Sequence, residues 1–200
     1  MRKLRIALWG MVVLLGGFLA WATLTWTVNG TTSMPSGFTV SGIGGPFTAQ
    51  RADGGPITRD DMLGRPHMVF FGFTHCPDVC PTTLYEAGQL LDRLGPDGDK
   101  VDVYFVTVDP ERDTAPLLAD YLRAFDPRIT GITGTPEQIA DLAKQWRVFV
   151  RKGEVRDGEY NVDHTATTFL MTPEGDLAST VSYGENPDTA LKKLRKLVQG

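Results

Sequence analysis

The apolar residues of this chain change period several times, and each change predicts an element. Residues 6–28 (IALWGMVVLLGGFLAWATLTWTV) carry no charge, and a membrane-crossing helix needs about 20 such residues. Residues 68–73 (MVFFGF) are apolar on both alternating faces, the pattern of a strand covered on both sides in a parallel sheet. Leu84, Ala87, Gly88, Leu91 and Leu94 then recur at helical spacing, so a helix follows. Two prolines locate its start. Pro77 suits a first turn, but a helix begun there would put Pro81 where its missing N–H and its ring disturb the ladder. The regular helix is therefore expected from about Pro81, with residues 77–80 as a tight turn.

Downstream the two periods alternate. Residues 101–108 predict a strand, followed by a helix over 115–125 with Leu117, Leu118, Tyr121, Leu122 and Phe125 on one side. Residues 129–133 predict a short strand, and Thr135-Pro136 opens the next helix as cap and first-turn proline. Gly95–Gly98 reads as a loop, and residues 148–160 as a hairpin-like excursion through Gly153 and Asp157-Gly158. Residues 167–171 and 177–183 form an antiparallel pair turned at Gly175, and 188–198 a closing helix. Upstream, residues 38–57 read as an N-terminal hairpin laid on the domain, and 60–64 as one helical turn. Strands alternating with helices, then a terminal antiparallel pair, give an α/β sandwich with a mixed sheet flanked by helices. Ligands gather at the carboxyl ends of parallel strands. The turn at 76–80 and the loop at 109–113 both follow such strands, and Asp163-His164 precedes a strand running the opposite way, so all three reach one edge.

Composition narrows the picture. The chain has 200 residues, 42% hydrophobic, enough for one domain with a real core plus an accessory segment. A net charge of −4 argues against nucleic acid as a partner. Arg2, Lys3 and Arg5 precede the uncharged stretch and no Lys or Arg follows until Arg51, which leaves the N-terminus cytoplasmic and the body outside. Trp21 and Trp26 fit an outer aromatic belt. Ala20-Trp21-Ala22 matches a signal-peptidase site, so a cleaved signal is the alternative, but the apolar run continues past it and favours a retained anchor. Residues 1–28 are thus expected as basic terminus and anchor, 29–37 as linker and 38–200 as the domain.

Cys76 and Cys80 are the only cysteines, too few for a disulfide framework and therefore free for a site. A strand-to-helix turn favours thiolate over thiol through backbone N–H groups and the helix dipole. Three intervening residues still allow a disulfide and also let both sulfurs face one ion. Two soft thiolates suit copper(I) or zinc and need at least one more ligand. A disulfide that only staples the turn closes too short a loop to add much stability.

The stretch F-T-H-C-P-D-V-C-P (Phe73–Pro81) resembles the signature of the Sco/SenC family, thioredoxin-like copper chaperones of cytochrome c oxidase assembly. V-T-V-D-P-E-R-D (Val106–Asp113), Y-L-R-A-F-D-P-R-I-T-G (Tyr121–Gly131) and V-D-H-T-A-T-T-F-L (Val162–Leu170) match in the same order. The resemblance covers most of residues 38–200. It implies a thioredoxin-like fold, copper as the bound ion, Cys76, Cys80 and His164 as its ligands, and a redox-active Cys76–Cys80 pair. It also implies the copper-containing oxidase subunit as partner and the periplasm, or an equivalent outer compartment, as location. Generic thioredoxin-like oxidoreductases usually place a proline opposite the cysteines, before the strand that starts here at Thr167. Residues 165–168 (TATT) contain none, which clears room for an ion. The expected function is copper delivery without enzymatic turnover. The alternatives are a thiol–disulfide reductase that keeps the oxidase's copper-ligand cysteines reduced, and a redox-sensing module.

The remaining polar residues divide between site and scaffold. His75 adjoins Cys76 but should point away, and His67 opens the buried strand as a structural residue. Asp78 either tunes the thiolates or stabilises the turn. Asp109 and Asp113 lie at the functional edge, where capping the next helix explains them nearly as well. Lys192, Lys193, Arg195 and Lys196 beside Leu191, Leu194 and Leu197 read as a packed C-terminal helix with cations at its negative end.

Overall fold

The computed structural model describes residues 42–199, so the expectations for the anchor, the linker and the first residues of the domain lie outside the described residues. In chain order the strands are β1 (Thr48–Arg51), β2 (Pro56–Thr58), β3 (His67–Gly72), β4 (Asp102–Thr107), β5 (Ile129–Thr133), β6 (Val150–Lys152), β7 (Val162–His164), β8 (Thr167–Met171) and β9 (Leu177–Ser182). The α-helices are α1 (Val79–Leu94), α2 (Ala115–Leu122), α3 (Pro136–Gln145) and α4 (Pro187–Gln199). Among the described residues no helix is long and apolar enough to cross a membrane.

Seven strands join in the order β2-β1-β5-β4-β3-β8-β9. β3, β4 and β5 are parallel neighbours, while β8 runs antiparallel to β3 and β1 antiparallel to β5. This is the thioredoxin-like mixed sheet. β3 is buried at all six positions, as its two-faced apolar pattern requires. Phe71, Phe73 and Phe105 lie in the core with Leu84 and Leu91 of α1, Leu118 of α2 and Leu142 of α3. α4 contacts α1 and the β8–β9 pair, with Leu191 and Leu194 buried and Lys193 reaching the Thr180 carbonyl at 2.8 Å and Glu185. The N-terminal hairpin is a true extension of the sheet, since β1 pairs with both β2 and β5.

The cap of α3 forms as expected: Gln138 N–H donates to the Thr135 hydroxyl at 3.3 Å, and Thr135 N–H to the Gln138 side chain at 2.9 Å. Other details differ. α1 begins at Val79, not Pro81, with Asp78 as N-cap and the first backbone bond from Thr82 N–H to the Asp78 carbonyl. Pro81 then falls in the first turn, where its absent N–H would have no partner inside the helix. Gly95–Lys100 is a 3-10 helix rather than a loop. α2 stops at Leu122, and Leu117 is 40% exposed because the helix beds on Leu118, Tyr121 and Leu122. The excursion at 148–160 belongs to a separate two-stranded sheet, β6 with β7, in which Val150 stands opposite His164. His164 therefore ends a strand of its own, three residues before β8 begins.

Candidate metal centre

The cysteine turn hangs from the end of β3. Gly72 lets it approach: a Cβ there would lie 2.6 Å from the Phe105 ring and 2.8 Å from Cys80 Sγ. Cys76 N–H donates back to the Phe73 carbonyl at 3.2 Å, folding the chain over before α1 starts. Cys80 is the second residue of α1 and fully buried, while Cys76 is half-buried. Cys80 N–H, one of the unpaired donors at the helix N-terminus, points at Cys76 Sγ at 3.4 Å. Both sulfurs are free thiols.

His164 closes the third side. Its Nε2 lies 3.6 Å from Cys80 Sγ, and the three donor atoms all fall within 4.8 Å of one another. Among the described residues this is the one cluster of Cys, His, Asp or Glu side chains with that spacing. Phe70 and Phe73 hold the imidazole edge-on, with ring centroids 6.1 and 5.8 Å away. The Thr165 carbonyl lies 3.1 Å from Nδ1 and can only accept, so Nδ1 carries the proton and Nε2 is bare, facing the sulfurs. Burial holds the imidazole neutral to lower pH than usual.

Burial also raises the Cys80 thiol far above its ordinary range, with the Cys76 sulfur adding to the effect. The helix terminus was expected to favour thiolate at both cysteines. At Cys80, desolvation outweighs it. In the metal-free protein, Cys80 S–H therefore donates toward His164 Nε2, and an ion bound between them would take the place of that proton. Two soft sulfurs and one imidazole nitrogen form a donor set suited to copper or zinc.

The surrounding aspartates do not cap α2, whose cap residue Thr114 makes no side-chain bond. Asp113, fully buried, accepts from Thr74 N–H at 3.0 Å, Thr74 O–H at 2.6 Å and Thr107 O–H at 2.6 Å, and its carbonyl accepts from Thr133 O–H at 2.8 Å. One residue thus laces the ends of β3, β4 and β5 directly beneath the cysteine turn. Asp109 accepts from Arg112 Nε at 2.5 Å and from Tyr160 O–H at 2.7 Å, linking the β4 loop to the chain entering β7. Asp78 does not stabilise its turn through the backbone; its carboxylate meets the hydroxyls of Thr82 and Tyr183, each at 3.4 Å. His75 is exposed and contacts Thr74 Oγ1 at 3.0 Å, outside the cluster. His67 is buried at the opposite end of β3, bonded to the Arg65 carbonyl and set edge-on to Tyr104. Sequence reasoning missed Arg112, Tyr160, Thr74 and the role of Gly72. Arg112 lay inside a matched segment in which only the aspartates attracted notice.

Comparison with known proteins agrees with this geometry. The sequence profile of the SCO1/SenC family matches residues 38–199. The chain is 40% identical over 148 residues to the mitochondrial protein SCO1 homolog 1 of Arabidopsis thaliana, covering 73% of this chain and 43% of that protein. The structure of copper-bound ScoI from Bradyrhizobium japonicum superimposes with a TM-score of 0.72 at 41% identity, covering 78% of this chain and 99% of that one. Copper-bound yeast Sco1 gives 0.74 at 34% identity, covering 79% and 89%. The chain spans about half the length of the curated relatives it matches, from 43% to 61%.

Proposed function

Because this chain belongs to the SCO1/SenC family, we propose that it binds copper through Cys76, Cys80 and His164 and delivers it to the dinuclear copper centre of cytochrome c oxidase. The observation that carries this reading is the convergence of two thiols and one bare imidazole nitrogen within 4.8 Å. Copper is cargo here, passed to the oxidase subunit by ligand exchange without chemical turnover. A half-buried Cys76 at the rim and a fully buried Cys80 behind it support a site that opens on one side to a partner.

Metal analysis of the purified, reduced chain tests the proposal. One copper per chain is expected, with uptake releasing protons and affinity falling as pH drops, because thiols must ionise to bind. Mild oxidation should join Cys76 to Cys80 and abolish uptake, since no free thiolate remains. An oxidised chain that binds copper with unchanged stoichiometry would rule out the two-sulfur site.

The same pair supports a second reading, a thiol–disulfide reductase acting on the oxidase's copper-ligand cysteines. The supporting observation is that both sulfurs sit on one turn, with Cys80 N–H at 3.4 Å from Cys76 Sγ. Both roles can share one dithiol.

We also propose that residues 1–28 anchor the chain in a membrane, residues 29–37 link it, and the domain from 38 onward faces the periplasm or an equivalent compartment. The uncharged stretch and the preceding Arg2, Lys3 and Arg5 support this. After a high-salt wash the full chain should stay with the membrane fraction. Recovery of a mature protein beginning at Thr23 would mean a cleaved signal and no tether.

A further inference from the structure

His164 does not belong to the seven-stranded sheet that carries the cysteines. It ends a three-residue strand paired only with another three-residue strand, and that hairpin is largely exposed, with Phe149 58% and Val155 62% accessible. So small a pair is marginal by itself. Something else must fix the imidazole against the sulfurs.

Phe70 and the Thr165 carbonyl contribute, and a further set of side chains converges on Arg112. Its guanidinium carbon lies 3.6 Å from the centroid of the Tyr160 ring and 5.9 Å from that of Phe73. Phe73 is also the ring set at 88° against His164, and Tyr160 stands four residues before His164. Asp109, 4% exposed, accepts from both Arg112 Nε and the Tyr160 hydroxyl. On the other side of the hairpin Lys152 sits 4.0 Å from the Tyr160 ring and pairs with Glu111 at 2.6 Å. The terminal nitrogens of Arg112 are buried and make no hydrogen bond, though one lies 3.6 Å from Glu159. The aromatic faces, rather than further acceptors, therefore enclose the cation.

We propose that Arg112 is a positioning residue: clamped between Phe73 and Tyr160 and tied by Asp109, it sets where His164 Nε2 stands relative to Cys76 and Cys80. This rests on the copper reading above. The clamp's side-chain contacts bear on the third ligand through the Phe73 and Tyr160 rings, whereas the cysteines are held chiefly through the backbone of β3 and α1 and through Asp113. The clamp should therefore matter for copper(II), which prefers more ligands and accepts nitrogen well, and little for copper(I), which two sulfurs can hold.

The test uses the full chain with Arg112→Met and Tyr160→Phe, the second keeping the ring over the guanidinium and removing only the bond to Asp109. In the metal-free chain, nuclear Overhauser contacts between the His164 and Phe73 rings should weaken in both variants. Copper(II) affinity should fall about 10-fold for Arg112→Met and by less for Tyr160→Phe. Copper(I) stoichiometry and disulfide formation should not change. In a His164→Ala background, the same substitutions should change copper(II) affinity by no more than about twofold. The clamp is refuted if folded Tyr160→Phe keeps the parent's ring contacts and affinity, or if the loss is as large without His164. Should Arg112→Met fail to fold, Tyr160→Phe decides alone. A parent that bound no copper(II) would count against the copper reading, and the ring contacts of the metal-free variants would still decide the clamp.

Discussion

His164→Ala is expected to leave Cys76–Cys80 disulfide formation and thiol exchange nearly intact while weakening copper(II) binding by at least about 10- to 100-fold, the range for losing even an outer-shell partner. Thiol exchange needs one sulfur to attack and another to resolve, with no role for an imidazole. The variant removes the bare Nε2 that stands 3.6 Å from Cys80 Sγ, and no other histidine can replace it, since His75 is exposed and His67 lies at the far end of β3. The sulfur-to-copper(II) absorption should shift or vanish, and oxidase assembly in cells should fail. A variant that bound copper(II) like the parent and still supported the oxidase would remove His164 from the ligand set and put the reductase reading first.

Gly72→Ala should damage both stability and site. The added carbon would stand 2.6 Å from Phe105 Cε2 and 2.8 Å from Cys80 Sγ, inside a core that has no slack at either atom. Overpacking of this kind costs about 1–3 kcal/mol, readable as a lower urea midpoint. Because one of the two atoms struck is a proposed ligand, copper affinity should fall as well. Adding Phe105→Leu takes away the ring edge but not the sulfur clash, so it should restore part of the stability and none of the affinity. Recovery of both together would show that the sulfur had never been displaced.

Much of this arrangement was legible in the residues because it is local. A strand apolar on both faces had to lie inside a sheet, and β3 does. Thr135, Pro136 and Gln138 carry their cap geometry within a few residues of one another. Strand direction brings the turn after β3 and the chain before β8 to one edge, but naming Cys76, Cys80 and His164 as ligands took the family resemblance as well. What escaped depends on contacts between distant segments. Nothing within residues 109–113 distinguishes a helix cap from a carboxylate that accepts from Thr74 and Thr107, because the donors come from the end of β4 and from the turn after β3. Arg112 gains its meaning from two rings, one 39 residues before it and one 48 after. Gly72 reads in the sequence only as part of the apolar run 68–73; its necessity comes from a sulfur in the next helix. The favourable helix terminus at Cys80 was legible, yet the burial that overrides it was not.

The separation of the two sheets has a consequence for how such a site can change over time. The cysteines are wired into the part of the molecule that must fold, so altering them risks the domain. The imidazole rides on an appendage, residues 150–164, that contributes little to the core beyond Tyr160 and Val162. Exchanging that appendage, or the single residue at its base, could turn the proposed centre toward another metal or strip it to a bare dithiol while the scaffold endures. Natural selection and protein engineering therefore have the same handle here: a proposed ligand that can be re-specified without renegotiating the fold.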